Sequence, residues 1–368
     1  MSIMNDNNNV INIDVISINI NENNDIINNT NTSLNYNKVR NKSFDLNGTL
    51  NLSKINCSNV LLKNTLIFSM TFLSDNRLAL GSKLGKIYIF SLDLKDKLII
   101  SIPSQNASIN QLLLLSSKKL LAISSDKNIY IFNIINDLYE LDQTIAVPSI
   151  AYKVIEVKDE KLISIHQDNS LRGFTKNSLN FQIECTWVKD YNDDSIFFDN
   201  IFSLKNKNKF IATCYTEEKL FFINIGTYNI KNTLSIITSY SINNIQYLND
   251  NYILVGGDLN IYLVDINKEI IKTSIETKGT VMTFLVLNEN CFLSGEEDEN
   301  YEYSNLNKYE IIYDKGIDNN NKEQINLKIN LLETKKQIHN NIIRNIVLYQ
   351  KYALITSGED NEVKMWNI

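Results

Sequence analysis

The sequence predicts an all-β chain built from seven copies of one strand–turn–strand unit. Three observations carry this: a recurring period, an apolar or aromatic residue at one fixed place in each copy, and an acid at another. The copies align on Phe90, Phe132, Phe174, Ile223, Val264, Ser304 and Trp366, at successive spacings of 42, 42, 49, 41, 40 and 62 residues. Three residues before each anchor stands Ile87, Ile129, Leu171, Leu220, Ile261, Tyr301 or Val363. Six residues before it stands Asp126, Asp168, Glu217, Asp258, Asp298 or Asp360; only the first copy departs, with Leu84. A sustained period of this length marks stacked supersecondary units that bury their faces against one another.

Each part of the unit has a local reason. A short carboxylate in a tight turn accepts hydrogen bonds from nearby backbone N–H groups and tolerates unusual backbone angles. Runs such as Ile87-Tyr88-Ile89-Phe90 and Ile129-Tyr130-Ile131-Phe132 are apolar on both faces. Such strands suit a position between two neighbouring sheets. With only two prolines and eleven glycines in 368 residues, Asn and Asp take over much of the turn chemistry.

The last copy, from Ala353 to Ile368, reads as strand, acidic turn and strand ending in Trp366, with His339 placed 27 residues ahead of that tryptophan. It resembles the core of a WD40 repeat, and the other copies are weaker versions of the same pattern. The resemblance implies a seven-bladed WD40-type β-propeller. It also implies that His339, Thr356, Asp360 and Trp366 form the hydrogen-bonded structural tetrad of the last blade. Two positions depart from the family pattern: Ile338 replaces the usual glycine before the histidine, and Asn367 replaces the aspartate after the tryptophan. No other copy has both histidine and tryptophan, so the resemblance is to a divergent propeller held mainly by packing.

In chain order, residues 1–40 form an Asn-rich, low-complexity leader, expected to be disordered, and residues 41–368 form the propeller. The leader lacks the uninterrupted apolar core and basic flank of a signal peptide, and no segment approaches the ~20 apolar residues of a membrane span. Blades are expected at about 66–102, 108–145, 151–187, 199–236, 243–275, 281–314 and 342–368. Because the sequence stops directly after an inner strand, the last blade needs an outer strand from elsewhere, or it exposes an edge. Residues 44–52 are the candidate to close the ring. Links 189–199 and 315–337 are long, and the alternation Ile325, Leu327, Ile329, Leu331 makes the second an alternative outer strand for the sixth blade.

Little here points to catalysis. The two histidines, His166 and His339, and the cysteines Cys57, Cys185, Cys214 and Cys291 show no metal-ligand spacing. Scattered free cysteines fit a reducing cytoplasm or nucleus. No phosphate loop or nucleophile elbow is present. The expectation is therefore no catalytic residue, no metal and no cofactor. A net charge of −6 disfavours a nucleic-acid partner.

Charge placement does suggest a partner. Turn acids would gather on one face, and the run Glu296, Glu297, Asp298, Glu299, with Glu359 and Glu362, exceeds what turns require. These six residues are the candidate acidic rim for a Lys/Arg-rich segment of another protein. The favoured reading is a non-enzymatic interaction scaffold, a monomeric propeller within a larger complex. Alternatives from other classes are a ubiquitin-ligase substrate receptor and a phosphoinositide-binding propeller. Against the second, Leu171-Arg172-Gly173-Phe174 offers one arginine where that family uses two.

Overall fold

The computed structural model of the chain describes residues 50–368 except 105, 136–137, 159–160, 179–181, 191–196, 205–207, 215–216, 237–241, 318–322 and 351–352. Among these residues there is no helix, and 28 strands form seven antiparallel four-stranded sheets. Blades 1 to 6 are consecutive in sequence and span 67–101, 109–146, 151–190, 198–235, 242–276 and 281–339. In each, strand order across the sheet follows chain order. Blade 7 is composite: Ile343–Tyr349, Ala353–Gly358 and Val363–Asn367 are completed by Asn56–Leu62 on the outside.

The core is distributed between blades. Seven buried clusters each combine side chains of two neighbouring blades, from Ile87 with Ile109 and Phe132 through to Leu78 and Phe90 with Ile355 and Val363. This explains why the second and third strands are apolar on both faces: each packs on a blade at either side. Segments Leu78–Ser82 and Leu120–Ser124 are buried at every position.

Every first strand begins with the same irregularity. Its pairing with the second strand skips one residue, between Ile67 and Ser69, Ile109 and Gln111, Ala151 and Lys153, Phe198 and Asn200, Ile242 and Asn244, Val281 and Thr283, and Ile343 and Asn345. A bulge re-aims the extra side chain and bends its strand. The sequence signal is an apolar residue followed by another three positions later, as in Ile109 and Leu112 or Ile343 and Ile346, where an unbroken strand would alternate by two. The residue after the bulge reaches the next blade: Ser69 Oγ accepts from the Leu112 N–H at 2.9 Å, and the Gln111 amide bonds both the N–H and C=O of Val154.

Three sequence expectations need correction. The strand that closes blade 7 is Asn56–Leu62, with Cys57 opposite Trp366, and not residues 44–52. Of that stretch, residues 44–49 lie outside the described residues, as does the leader 1–40. Leu50 and Leu52, with Ile55, instead plug the gap between blades 6 and 7 against Leu306, Ile338 and Trp366. A clasp fixes the plug: Lys308 Nζ donates to the Leu50 carbonyl at 2.5 Å, and the Leu52 N–H donates to Glu333 at 2.6 Å.

The sixth blade also differs. Its outer strand is Glu323–His339, so the 315–337 stretch supplies it and residues 309–314 belong to the third strand, Ser304–Ile317. Finally, Phe292 pairs with Tyr309 as Leu354 pairs with Trp366, so the anchor of this copy is Tyr309 and not Ser304. The count slipped because the preceding turn is longer. Asp298 caps it by accepting from the N–H groups of Glu302 and Tyr303, at 2.7 and 3.1 Å.

Candidate functional site

The four residues singled out in the last blade are joined by hydrogen bonds. Asp360 Oδ1 lies 2.8 Å from His339 Nδ1, His339 Nε2 lies 2.8 Å from Thr356 Oγ1, and the Trp366 indole N–H donates to Thr356 Oγ1 at 2.9 Å. A carboxylate only accepts, so Nδ1 carries a proton; the indole only donates, which leaves the Thr356 hydroxyl proton for Nε2. Burial alone would raise Asp360, but the His339 contact, the Asn340 N–H and Lys364 outweigh it and hold the carboxyl at about 2. Room for the ring comes from Gly358, where a Cβ would stand 2.6 Å from His339 Cγ.

Blades 3 and 6 solve the same problem with other chemistry. By strand register, Ser164 and Ser294 correspond to Thr356, and His166 and Glu296 correspond to Gly358. Where blade 7 admits a histidine from the end of the preceding blade's outer strand, these blades fill the space from the second strand itself. His166 Nδ1–H donates to the Ser149 carbonyl at 2.9 Å, so Nε2 accepts from Ser164 Oγ at 2.6 Å. Burial pushes its imidazole down to about 4. Glu296 accepts from Ser294 and, at 2.8 Å, from the hydroxyl of Tyr309, the counterpart of Trp366. Burial raises the Glu296 carboxyl against those donors.

The predicted acidic rim is thereby divided. Glu296, Glu297 and Asp298 are all buried, at 1%, 8% and 6% exposure. Glu296 belongs to the blade 6 network and Asp298 to its turn. Glu297 is pushed up by burial and by Glu359, Asp258 and Asp298 around it. Glu359 is paired with Arg344, and Glu362 lies 3.1 Å from Lys364. Glu299 stands in solvent, 3.9 Å from the still more exposed Lys278. Of the six, Glu299 is exposed and Glu359 and Glu362 are part-exposed. The turn acids of blades 2, 3 and 7 are likewise held from the third strand, Asp126 by the Tyr130 hydroxyl at 2.5 Å, Asp168 by Arg172 at 2.7 Å and Asp360 by Lys364 at 3.2 Å.

A cavity of about 470 Å³ opens between blades 3 and 4 on the face that carries the turn acids. Tyr152, Phe197, His166, Asn169, Phe198 and Asp199 line it. Tyr152 and Phe197 are exposed, whereas His166 and Phe198 are buried. Tyr152 and Asp199 each occupy the bulged position of their first strand, which is what brings them to the mouth. Thr213 Oγ1 donates to Asp199 at 2.6 Å, and burial raises this carboxyl even with Lys153 close by. Burial in turn lowers the Lys153 amine to about 8, and its Nζ bonds Asn200 Oδ1 at 2.7 Å. Sequence reading missed this site, because blades 3 and 4 assemble it from three separate stretches.

No family model matches the sequence. No curated protein matches it either. The fold does have counterparts among solved structures: one chain of a crystal structure of the mitotic checkpoint complex superposes with a TM-score of 0.69 at 9% identity, covering 95% of this chain and 99% of that one. This chain is a seven-bladed β-propeller. At that identity the likeness establishes the fold alone. Among the described residues of the propeller, no cluster of three or more His, Cys, Asp or Glu could hold a metal ion. No described helix is long and apolar enough to cross a membrane. Arg172 of the propeller, the one arginine in Leu171-Arg172-Gly173-Phe174, is buried and paired with Asp168.

Proposed function

We propose that this propeller is a non-enzymatic protein-interaction scaffold, a subunit or adaptor of a multiprotein complex in the cytoplasm or nucleus. The observation that carries the reading is where its titratable groups go. His166, Glu296, Asp168 and Asp360 are each tied to a partner within their own blade, and His339, at the end of blade 6, is tied to Asp360 and Thr356 of blade 7. A catalytic site needs such groups converging on a space a substrate can enter. The likeness to a chain of a multiprotein complex agrees with protein partners, although a fold hosts many functions. Exposed Glu299, with Glu359 and Glu362 part-exposed beside Arg344 and Lys364, favours a Lys/Arg-rich partner segment. The internal pairing of Arg172 weighs against a phosphoinositide site at that motif.

Affinity purification of the full-length tagged chain, with mass spectrometry and stoichiometry of what accompanies it, tests the reading. A defined set of co-purifying subunits is the expected result. Recovery of the chain alone from a soluble lysate refutes it.

A further inference from the structure

One contact inside the ring shows what the bulged positions can recognise. At the junction of blades 7 and 1, the Arg344 guanidinium lies 5.4 Å from the centroid of the Phe68 ring and is paired with Glu359. Both Arg344 and Phe68 are bulged residues of their first strands. An aromatic face attracts a cation through its quadrupole, and a carboxylate beside it supplies the counter-charge. The junction of blades 3 and 4 has the same host parts. Tyr152 and Phe197 offer exposed rings, Asp199 offers a carboxylate, and Tyr152 and Asp199 again come from bulged positions. Among the described residues no cation is seated over either ring, and the nearby Lys153 is committed to Asn200.

We propose that the cavity between blades 3 and 4 binds the cationic head of an arginine side chain from a partner polypeptide, with Tyr152 and Phe197 as walls and Asp199 as counter-charge. The volume of about 470 Å³ lies in the ordinary range of ligand sites. Arginine is favoured over lysine because its flat, weakly hydrated guanidinium stacks on aromatic faces and forks onto carboxylates. The burial that raises Asp199 shows a carboxylate its surroundings only partly compensate, which a second cation would stabilise. His166, with both nitrogens already bonded, forms fixed wall and takes no part in exchange.

This inference rests on the scaffold reading for its partner, and the experiment separates the two. Full-length protein is titrated with N-acetyl-arginine amide, and with the neutral citrulline analogue, by ligand-observed NMR. Phe197→Ala and Asp199→Asn are the variants; the second keeps an acceptor for Thr213 and guards against a folding artefact in the first. Binding of the arginine probe alone, weakened about tenfold or more in either folded variant, is the expected result. Equal binding of citrulline, or wild-type affinity in both variants, overturns the proposal. In parallel, the variants are put through the affinity purification. Partners retained by both variants overturn the pocket as a contact while the scaffold reading stands. A wild type that purifies alone refutes the scaffold, and the probe titration still decides the pocket.

Discussion

Charge reversal at Glu296 separates a buried network from a surface rim. On an exposed rim, Glu296→Lys would leave stability within about 0.5 kcal/mol of wild type. Here Glu296 is 1% exposed and accepts from both Ser294 and Tyr309. A lysine there brings a buried charge and leaves two hydroxyl donors without their acceptor, a loss of about 3–5 kcal/mol. For a propeller of about 320 residues the unfolding entropy at the midpoint is about 0.7 kcal/mol/K, so the loss lowers Tm by about 4–7 °C.

The isosteric Glu296→Gln tests the sign. Its amide oxygen still accepts from Tyr309, and it removes a carboxylate whose folded pKa burial has raised. A raised carboxyl makes the fold relatively more stable below its unfolded pKa of about 4.3, and that advantage is lost as pH rises through the folded value. At pH 7 the glutamine variant is therefore at least as stable as wild type. Differential scanning calorimetry of wild type, both variants and the exposed control Glu299→Lys reads all of this. A lysine variant that melts within 1 °C of wild type would refute the buried network.

Three further outcomes follow from the geometry. A chain beginning at residue 50 remains folded, whereas one beginning at residue 63 loses Leu50, Leu52, Ile55 and Leu62 from the core. At about 1.5–3 kcal/mol per side chain, that loss rivals a total stability of about 5–15 kcal/mol, so size-exclusion chromatography should show aggregation. Gly358→Ala places a methyl against His339 and lowers stability by about 1–3 kcal/mol; adding His339→Ala should recover part of it in a double-mutant cycle by urea titration. His166 is held neutral by burial, with its pKa lowered to about 4. The unfolded chain then binds the extra proton between about pH 6.5 and 4, so stability falls across that window as pH drops, and His166→Gln should flatten that part of the pH–stability curve.

How much was legible in advance depended on how local each feature is. Anchors such as Phe90, Phe132 and Phe174, and acids such as Asp126, Asp168 and Asp360, could be read directly, because strand burial on two faces and turn capping are set by neighbours in sequence. The apolar spacing of three in Ile109 to Leu112 is a further local mark, that of the bulge. Blade 6 misled because Asp298 caps a longer turn, so Ser304 fell where the count wanted an anchor. Only pairing with Phe292 identifies Tyr309.

The sequence by itself determined the all-β repeat and its period, since both follow from the local alternation of apolar, polar and turn residues; the polar chain from Asp360 to Trp366 was implied only by the resemblance of the last copy to a WD40 repeat. Tertiary structure alone decided the rest. It put Asn56–Leu62 at the ring closure, aligned His166 and Glu296 with Gly358, took Glu296 out of the rim, and joined Tyr152 to Phe197 and Asp199. Those relations depend on register between strands and on contact between blades, and residues far apart in sequence meet only once the ring has closed.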